Sequence, residues 1–147
     1  MTTVKTNPAP DQKAWVLFPL GKKRFALPAE SVTELARPDR LQTFPHTTSL
    51  LAGVLVRRGR IVPVCDVAQV LVGANAPARK FYLIANRRFD AASEWTAIPV
   101  SGECELASAQ PAPRAEGLPH YVTGLLPLNG EIIEIVDLEE LAAGESA

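Results

Sequence analysis

No stretch of this chain approaches the roughly 20 uninterrupted apolar residues of a membrane-spanning helix, and its opening, MTTVKTNPAPDQK, is polar where a signal peptide would be apolar. The expected compartment is therefore the cytoplasm, without membrane insertion. Cysteine is scarce as well. Cys65 and Cys104 stand far apart in apparent strands, with no second Cys or His at ligand spacing, so neither a disulfide framework nor a zinc site is expected. His46 and His120 each follow a proline (Pro45, Pro119) in apparent loops, and a metal there would need an unseen carboxylate. No metal and no cofactor are expected. Aromatic residues are only 6% of the chain and do not interleave with the cations, unlike a stacking platform for single strands, so nucleic acid is not an expected partner. There is no G-x-S-x-G elbow, phosphate loop or dinucleotide fingerprint, and Ser49 and Ser101 have no adjacent His or acid to activate them. No catalytic residue can be named, and the chain reads as a non-enzyme.

What is present is enough apolar material for a core. With 147 residues and 47% apolar content, the chain can bury one continuous core, or two small barrels packed together, without disulfides or metal. Net charge is only −1, yet its signs are segregated. Residues 1–89 hold 14 Lys and Arg against 5 Asp and Glu, whereas residues 90–147 hold 1 against 11. The expectation is a bipolar molecule suited to head-to-tail protein contacts; the alternative is that the charges intermix on folding, since sequence halves need not be spatial halves.

An internal repeat organises the chain. Gly53 to Val67 aligns without a gap to Gly124 to Leu138, bringing Gly59 onto Gly130 and Asp66 onto Asp137, at an offset of 71 (Gly53 to Gly124). The same offset carries Phe25 to Pro28 onto Thr96 to Pro99. Upstream, Val16 to Leu20 is matched with Phe81 to Ala85, as though the second half held a longer turn around Arg87 to Ser93. Each half reads as strand, turn, strand, irregular link, strand, turn, strand and short helix. Arg58-Gly59 and Asn129-Gly130 have the form of two-residue hairpin turns, the second being the stronger signal. Asp66 and Asp137 each precede a short amphipathic run and are expected to cap it. One carboxylate per half also resembles the pseudo-symmetric pair of an aspartic protease, but Cys65 and Val67, or Val136 and Leu138, replace the small polar neighbours such a carboxylate needs. The expected fold is mainly β: two tandem five-stranded SH3-like barrels, subdomain 1 at about 14–73 and subdomain 2 at about 79–143, with short plugging helices and flexible termini at 1–13 and 144–147.

Taken in order, Phe18-Pro19-Leu20-Gly21, Phe25-Ala26-Leu27-Pro28, Val32-Thr33-Glu34-Leu35, Gly53-Val54, Arg58-Gly59, Ile61-Val62-Pro63-Val64 and Asp66 resemble the first half of a CheW-like domain. Pro111-Ala112-Pro113, Tyr121 to Leu125 and Ile133 to Leu138 continue the resemblance, which extends from about Trp15 to Leu141. It implies an adaptor that couples the cytoplasmic tip of a chemoreceptor to the regulatory domain of a CheA-type histidine kinase. By position, the resemblance assigns Val32, Glu34, Gly53 and Arg58 to the receptor. The kinase is expected around Tyr82, Trp95 and Ile98. On the residues alone, Gly53 also suits a bulge, Val32 and Trp95 a barrel interior, and Arg58 a solvated turn. Val56-Arg57 replaces the usual Asn-Leu before the turn arginine, and Ile98-Pro99-Val100 replaces a usual Val-Asp, with Pro99 implying a sheet edge or kink. These departures leave room for a pilus-motility or other non-flagellar array. The competing class is a stand-alone regulatory barrel for a small ligand, which would show a deep apolar pocket with convergent polar groups.

Overall fold

The computed structural model describes residues 12–37, 51–73, 80–89 and 92–141. Expectations for His46, Ser49 and the outermost termini fall outside them. The first hairpin joins β1 (Lys13–Leu20) to β2 (Lys23–Pro28), and a single 3-10 turn, Ala29–Ser31, leads into β3 (Val32–Ala36). Next come β4 (Leu51–Arg57), β5 (Arg60–Cys65) and the one-turn helix α1 (Ala68–Leu71). The second half follows as β6 (Phe81–Phe89), β7 (Ala92–Val100), β8 (Glu105–Ala109), β9 (Ala112–Pro113), β10 (Val122–Leu128) and β11 (Glu131–Val136), before a helical turn at 138–141.

The strands form a six-stranded sheet, β8-β1-β2-β11-β10-β9, and a five-stranded one, β3-β6-β7-β5-β4. This departs from the sequential division at about residue 73. The first hairpin of each half has crossed into the sheet of the other: β2 runs parallel to β11, and β7 runs parallel to β5. The repeat survives the exchange in register. Ile135 opposes Ala26 as Val64 opposes Ala97, and both members of each pair are related by 71. Bulges recur in register between Leu51 and Gly53 and between Val122 and Gly124. A Cβ at Gly124 would lie 3.2 Å from the Ala112 carbonyl oxygen, tight enough to favour glycine.

Only β1 and β6 break the offset. Val16 opposes Leu27 and Leu83 opposes Ile98, so the true match is Val16 to Leu83, two residues from the alignment read off the sequence. The four extra residues lengthen the ladder rather than the turn, adding the pairs Arg88 with Ser93 and Phe89 with Ala92. A slip of two leaves the inward and outward pattern of a strand unchanged, which is why the sequence could not reveal it. Pro99 lies in β7, an interior strand, and not at an edge; it follows the single pairing of β7 with β5 at Ala97.

Burial explains the exchange. Along β1, Trp15 and Leu17 face one cluster while Val16, Phe18 and Leu20 face another; along β6, Tyr82 and Ile84 alternate in the same way with Leu83 and Ala85. One face of each hairpin lines its own barrel. The other faces meet in a shared core that also takes Val67, Ala68, Leu138 and Leu141 from the two helical turns. Each fully buried Leu, Ile or Phe contributes about 1.5–3 kcal/mol, and a strand buried on both faces collects this at every residue. Arg114, the only Lys or Arg after residue 89, ties down the following loop through the carbonyls of Val122, Leu118 and Pro119.

Because each barrel borrows a hairpin from the other half, the two should unfold together. With 5-fluorotryptophan in place of Trp15 and Trp95, one in each sheet, both native fluorine signals are expected to vanish at the same urea concentration. Two separated midpoints would show that the barrels fold independently.

Candidate functional site

The hairpins β4–β5 and β10–β11 are buried on one face only. On β4–β5, Leu55, Val62 and Val64 fill the barrel, while Val56 and Ile61, cross-strand partners, are 56% and 73% exposed. At the tip, Arg58 and Gly59 both take positive φ, 54° and 76°, as a primed two-residue turn requires. Asn129 and Gly130 repeat this at 52° and 80°. Asn tolerates the left-handed region well; Arg pays a steric penalty for it.

Two of the residues expected to face a receptor, Glu34 and Arg58, meet near this tip. Glu34 of β3 accepts two hydrogen bonds from Arg57, at 3.0 and 3.2 Å, and Arg58 approaches the same carboxylate at 3.3 Å. Glu34 is on one outermost strand of the five-stranded sheet and Arg57 on the other, so this bidentate pair ties the sheet's two edges together. The guanidinium of Arg57, then that of Arg58, holds the Glu34 carboxyl below the usual range. Val32, on the same strand, is half-buried against the shared core. Gly53 sits at the β4 bulge, opposite Val64. Arg58 is the exposed member, with 66% of its side chain accessible.

The residues expected at the kinase surface separate. Tyr82 is 4% exposed and Ile98 fully buried, in a barrel interior and in the shared core respectively, so neither can offer a docking face. Their strands, β6 and β7, are covered on both sides. Trp95 is half-buried, with the Arg60 guanidinium 4.0 Å from its ring centre. Sequence reasoning passed over Val56 and Ile61 as surface; the signal available was the apolar cross-strand pair flanking a basic turn.

Asp137 caps its helical turn as expected, its Oδ1 accepting the Glu139 and Glu140 amides at 2.8 and 3.1 Å. At α1 the residue before the helix is Val67, and the Asp66 carbonyl accepts the Gln69 amide at 3.2 Å. Burial pushes the Cys104 thiol up to about 11, well away from thiolate chemistry. The expected bipolar charge also intermixes in part: Lys23 pairs with Glu134, and Arg24 pairs with both Glu105 and Glu131.

A second surface lies where the sheets meet. A cleft of about 590 Å³ opens between the 3-10 turn, β6 and the helical turn at 138–141. No helix among the described residues is long and apolar enough to cross a membrane.

Comparison with known proteins agrees with this architecture. Protein FrzA of Myxococcus xanthus is 36% identical over 67 residues, an alignment covering 46% of this chain. The chain thus spans only 41% of that relative's length. The crystal structure of the scaffolding protein TtCheW from Thermoanaerobacter tengcongensis superposes with a TM-score of 0.74 at 18% identity, covering 88% of this chain and 91% of that one. That likeness establishes the fold of two SH3-like barrels. The family model of the CheW-like domain matches residues 14–88, half of the chain, and the protein belongs to that family.

Proposed function

We propose that this protein is a non-enzymatic cytoplasmic adaptor, binding the cytoplasmic tip of a chemoreceptor on one surface and the regulatory domain of a CheA-type histidine kinase on another. Family membership and the scaffolding role named for TtCheW support a placement function. Its effect is to hold the kinase at high local concentration beside its input. The similarity to FrzA is compatible with a non-flagellar or pilus-motility array as well as with flagellar chemotaxis.

The observation that carries the receptor half is Arg58. It occupies a left-handed position at φ 54° where the equivalent residue of the other half is Asn129, the low-strain choice. A strained side chain that is mostly solvent-exposed contributes little to the fold, which favours a role for its guanidinium outside the molecule. Val32, Glu34 and Gly53 form the supporting surface: Glu34 orients the arginine, and the Gly53 bulge shapes β4 beneath it. The kinase half is assigned to Trp95 with Arg60, beside exposed Ile61, a combination of aromatic, arginine and aliphatic groups typical of binding hot spots.

Arg58→Asn separates these roles. Relief of strain should leave stability unchanged or raise it by about 0.5–1 kcal/mol, while receptor binding falls by about tenfold or more. Retained receptor binding would remove Arg58 from the interface. Arg60→Glu is expected to weaken binding of the kinase regulatory domain by about tenfold while receptor affinity stays within about twofold. Equal loss of both would mean that the two surfaces are not distinct.

A further inference from the structure

The two barrels are closed unequally at the seam where each receives its exchanged hairpin. In the second barrel β11 meets β2 at two register pairs, Glu134 with Phe25 and Ile135 with Ala26. Side chains reinforce that seam: Arg24 donates to Glu131 at 2.7 Å, and Lys23 lies 3.8 Å from Glu134. In the first barrel β5 meets β7 at one pair, Val64 with Ala97, and the equivalent of Glu134 with Phe25 is missing. There Arg60 stacks on Trp95 at 4.0 Å where the second barrel has the Glu131–Arg24 ion pair.

Residue 63 explains the missing pair. Arg57 and Arg60 flank a two-residue turn and exchange hydrogen bonds, which turns the even-numbered residues of β5 toward β4 and the odd-numbered ones toward β7. The Val64–Ala97 pairing therefore runs through Pro63 and Cys65: the Ala97 amide donates to the Pro63 carbonyl, and the Cys65 amide to the Ala97 carbonyl. The next donor along β5 would be the nitrogen of residue 63, and proline carries no hydrogen there. Its counterpart Glu134 keeps that hydrogen, and the second pair forms. At the other end the ladders stop alike, at Pro99 and at its equivalent Pro28.

We propose that the β5–β7 seam is a release joint: the β4–β5 hairpin parts from β7 while the exchanged hairpins and the shared core stay closed. Pro63 sets how readily it opens. The hairpin is suited to this motion because Val56 and Ile61 are mostly exposed, while its inward residues Leu55, Val62 and Val64 belong to the barrel cluster rather than to the shared core. Arg58 rides on the part that moves, Trp95 stays with β7, and Arg60 touches Trp95 across the joint. Segments that open below the global unfolding free energy are those from which binding elements are drawn. The joint is a property of the fold and does not rest on Arg58 facing a receptor.

Native-state hydrogen exchange of the ¹⁵N-labelled full chain, with rates converted to protection factors, tests the joint. The repeat supplies matched reporters: the Ala97 amide on the Pro63 carbonyl, and the Ala26 amide on the Glu134 carbonyl. Ala97 is expected to be at least about tenfold less protected than Ala26, while the neighbouring Ile98 amide, which points to β6, matches Ala26. Pro63→Val supplies the missing N–H and should narrow the ratio between Ala26 and Ala97 by about fivefold or more. Pro63→Ala repeats the comparison with a smaller side chain. Equal protection of Ala97 and Ala26 in the unaltered chain would overturn the proposal. So would equal weakness of Ala97 and Ile98, which would place the opening within β6–β7, or a ratio that neither substitution moves.

Discussion

The molecule depends on two hairpins, β1–β2 and β6–β7, that are buried on both faces. Each supplies the inner wall of one barrel with every second side chain and the common core with the rest: Phe18, Phe25 and Leu27 from one hairpin meet Leu83, Ile98 and Val100 from the other. Such strands have no solvent face to spend on polar residues, and they cannot be moved without opening two clusters at once. The strand exchange follows from this. A barrel assembled from consecutive strands alone would leave the second face of its first hairpin in water, whereas crossing into the other half covers it and welds both halves into one body.

Within that frame the repeat keeps its backbone and changes its side chains. Glu34 and Glu105 hold equivalent places, opposite Ile84 and Leu17, yet the first is clasped by the turn arginines Arg57 and Arg58 and the second by Arg24 of β2. Arg60 stacks on Trp95; at the equivalent positions Glu131 bonds Arg24 at 2.7 Å. The same pairs of sites thus carry a cation and an aromatic ring in one barrel and an ion pair in the other. Duplication provided two copies of a surface, and these exchanges made them chemically distinct while the core clusters stayed equivalent.

Much of this could be read from the sequence because the relevant signals are local. The two glycine turns and the Asp137 cap depend on neighbours within a few residues, and the offset of 71 is a direct comparison of one segment with another. What escaped depends on distant partners. Period-two alternation shows that side chains of a strand divide between two faces, but not that both faces are covered, so it could not reveal that Tyr82 and Ile98 are buried. The partner of β2 could not be deduced either, since its parallel neighbour β11 lies more than a hundred residues away. Asp66 and Asp137 are equivalent in the repeat, yet Asp66 is 2% exposed and Asp137 half-buried.

The division between doubly and singly buried hairpins also determines where new binding chemistry can arise. A substitution on the inward faces of β1, β2, β6 or β7 disturbs at least one core cluster and typically costs about 2–5 kcal/mol when a large side chain is truncated, a sizeable share of a domain's whole stability. On β4–β5 the outward residues Val56 and Ile61 are mostly exposed, and changing them costs far less. The departures from the usual family pattern at Val56 and Arg57 fall on this hairpin, where the fold tolerates them, and the strain held at Arg58 persists there because the ladder on either side of the turn already sets its geometry. New surface chemistry in this architecture can therefore arise at the hairpin tips, while the exchanged strands stay fixed by the clusters they join.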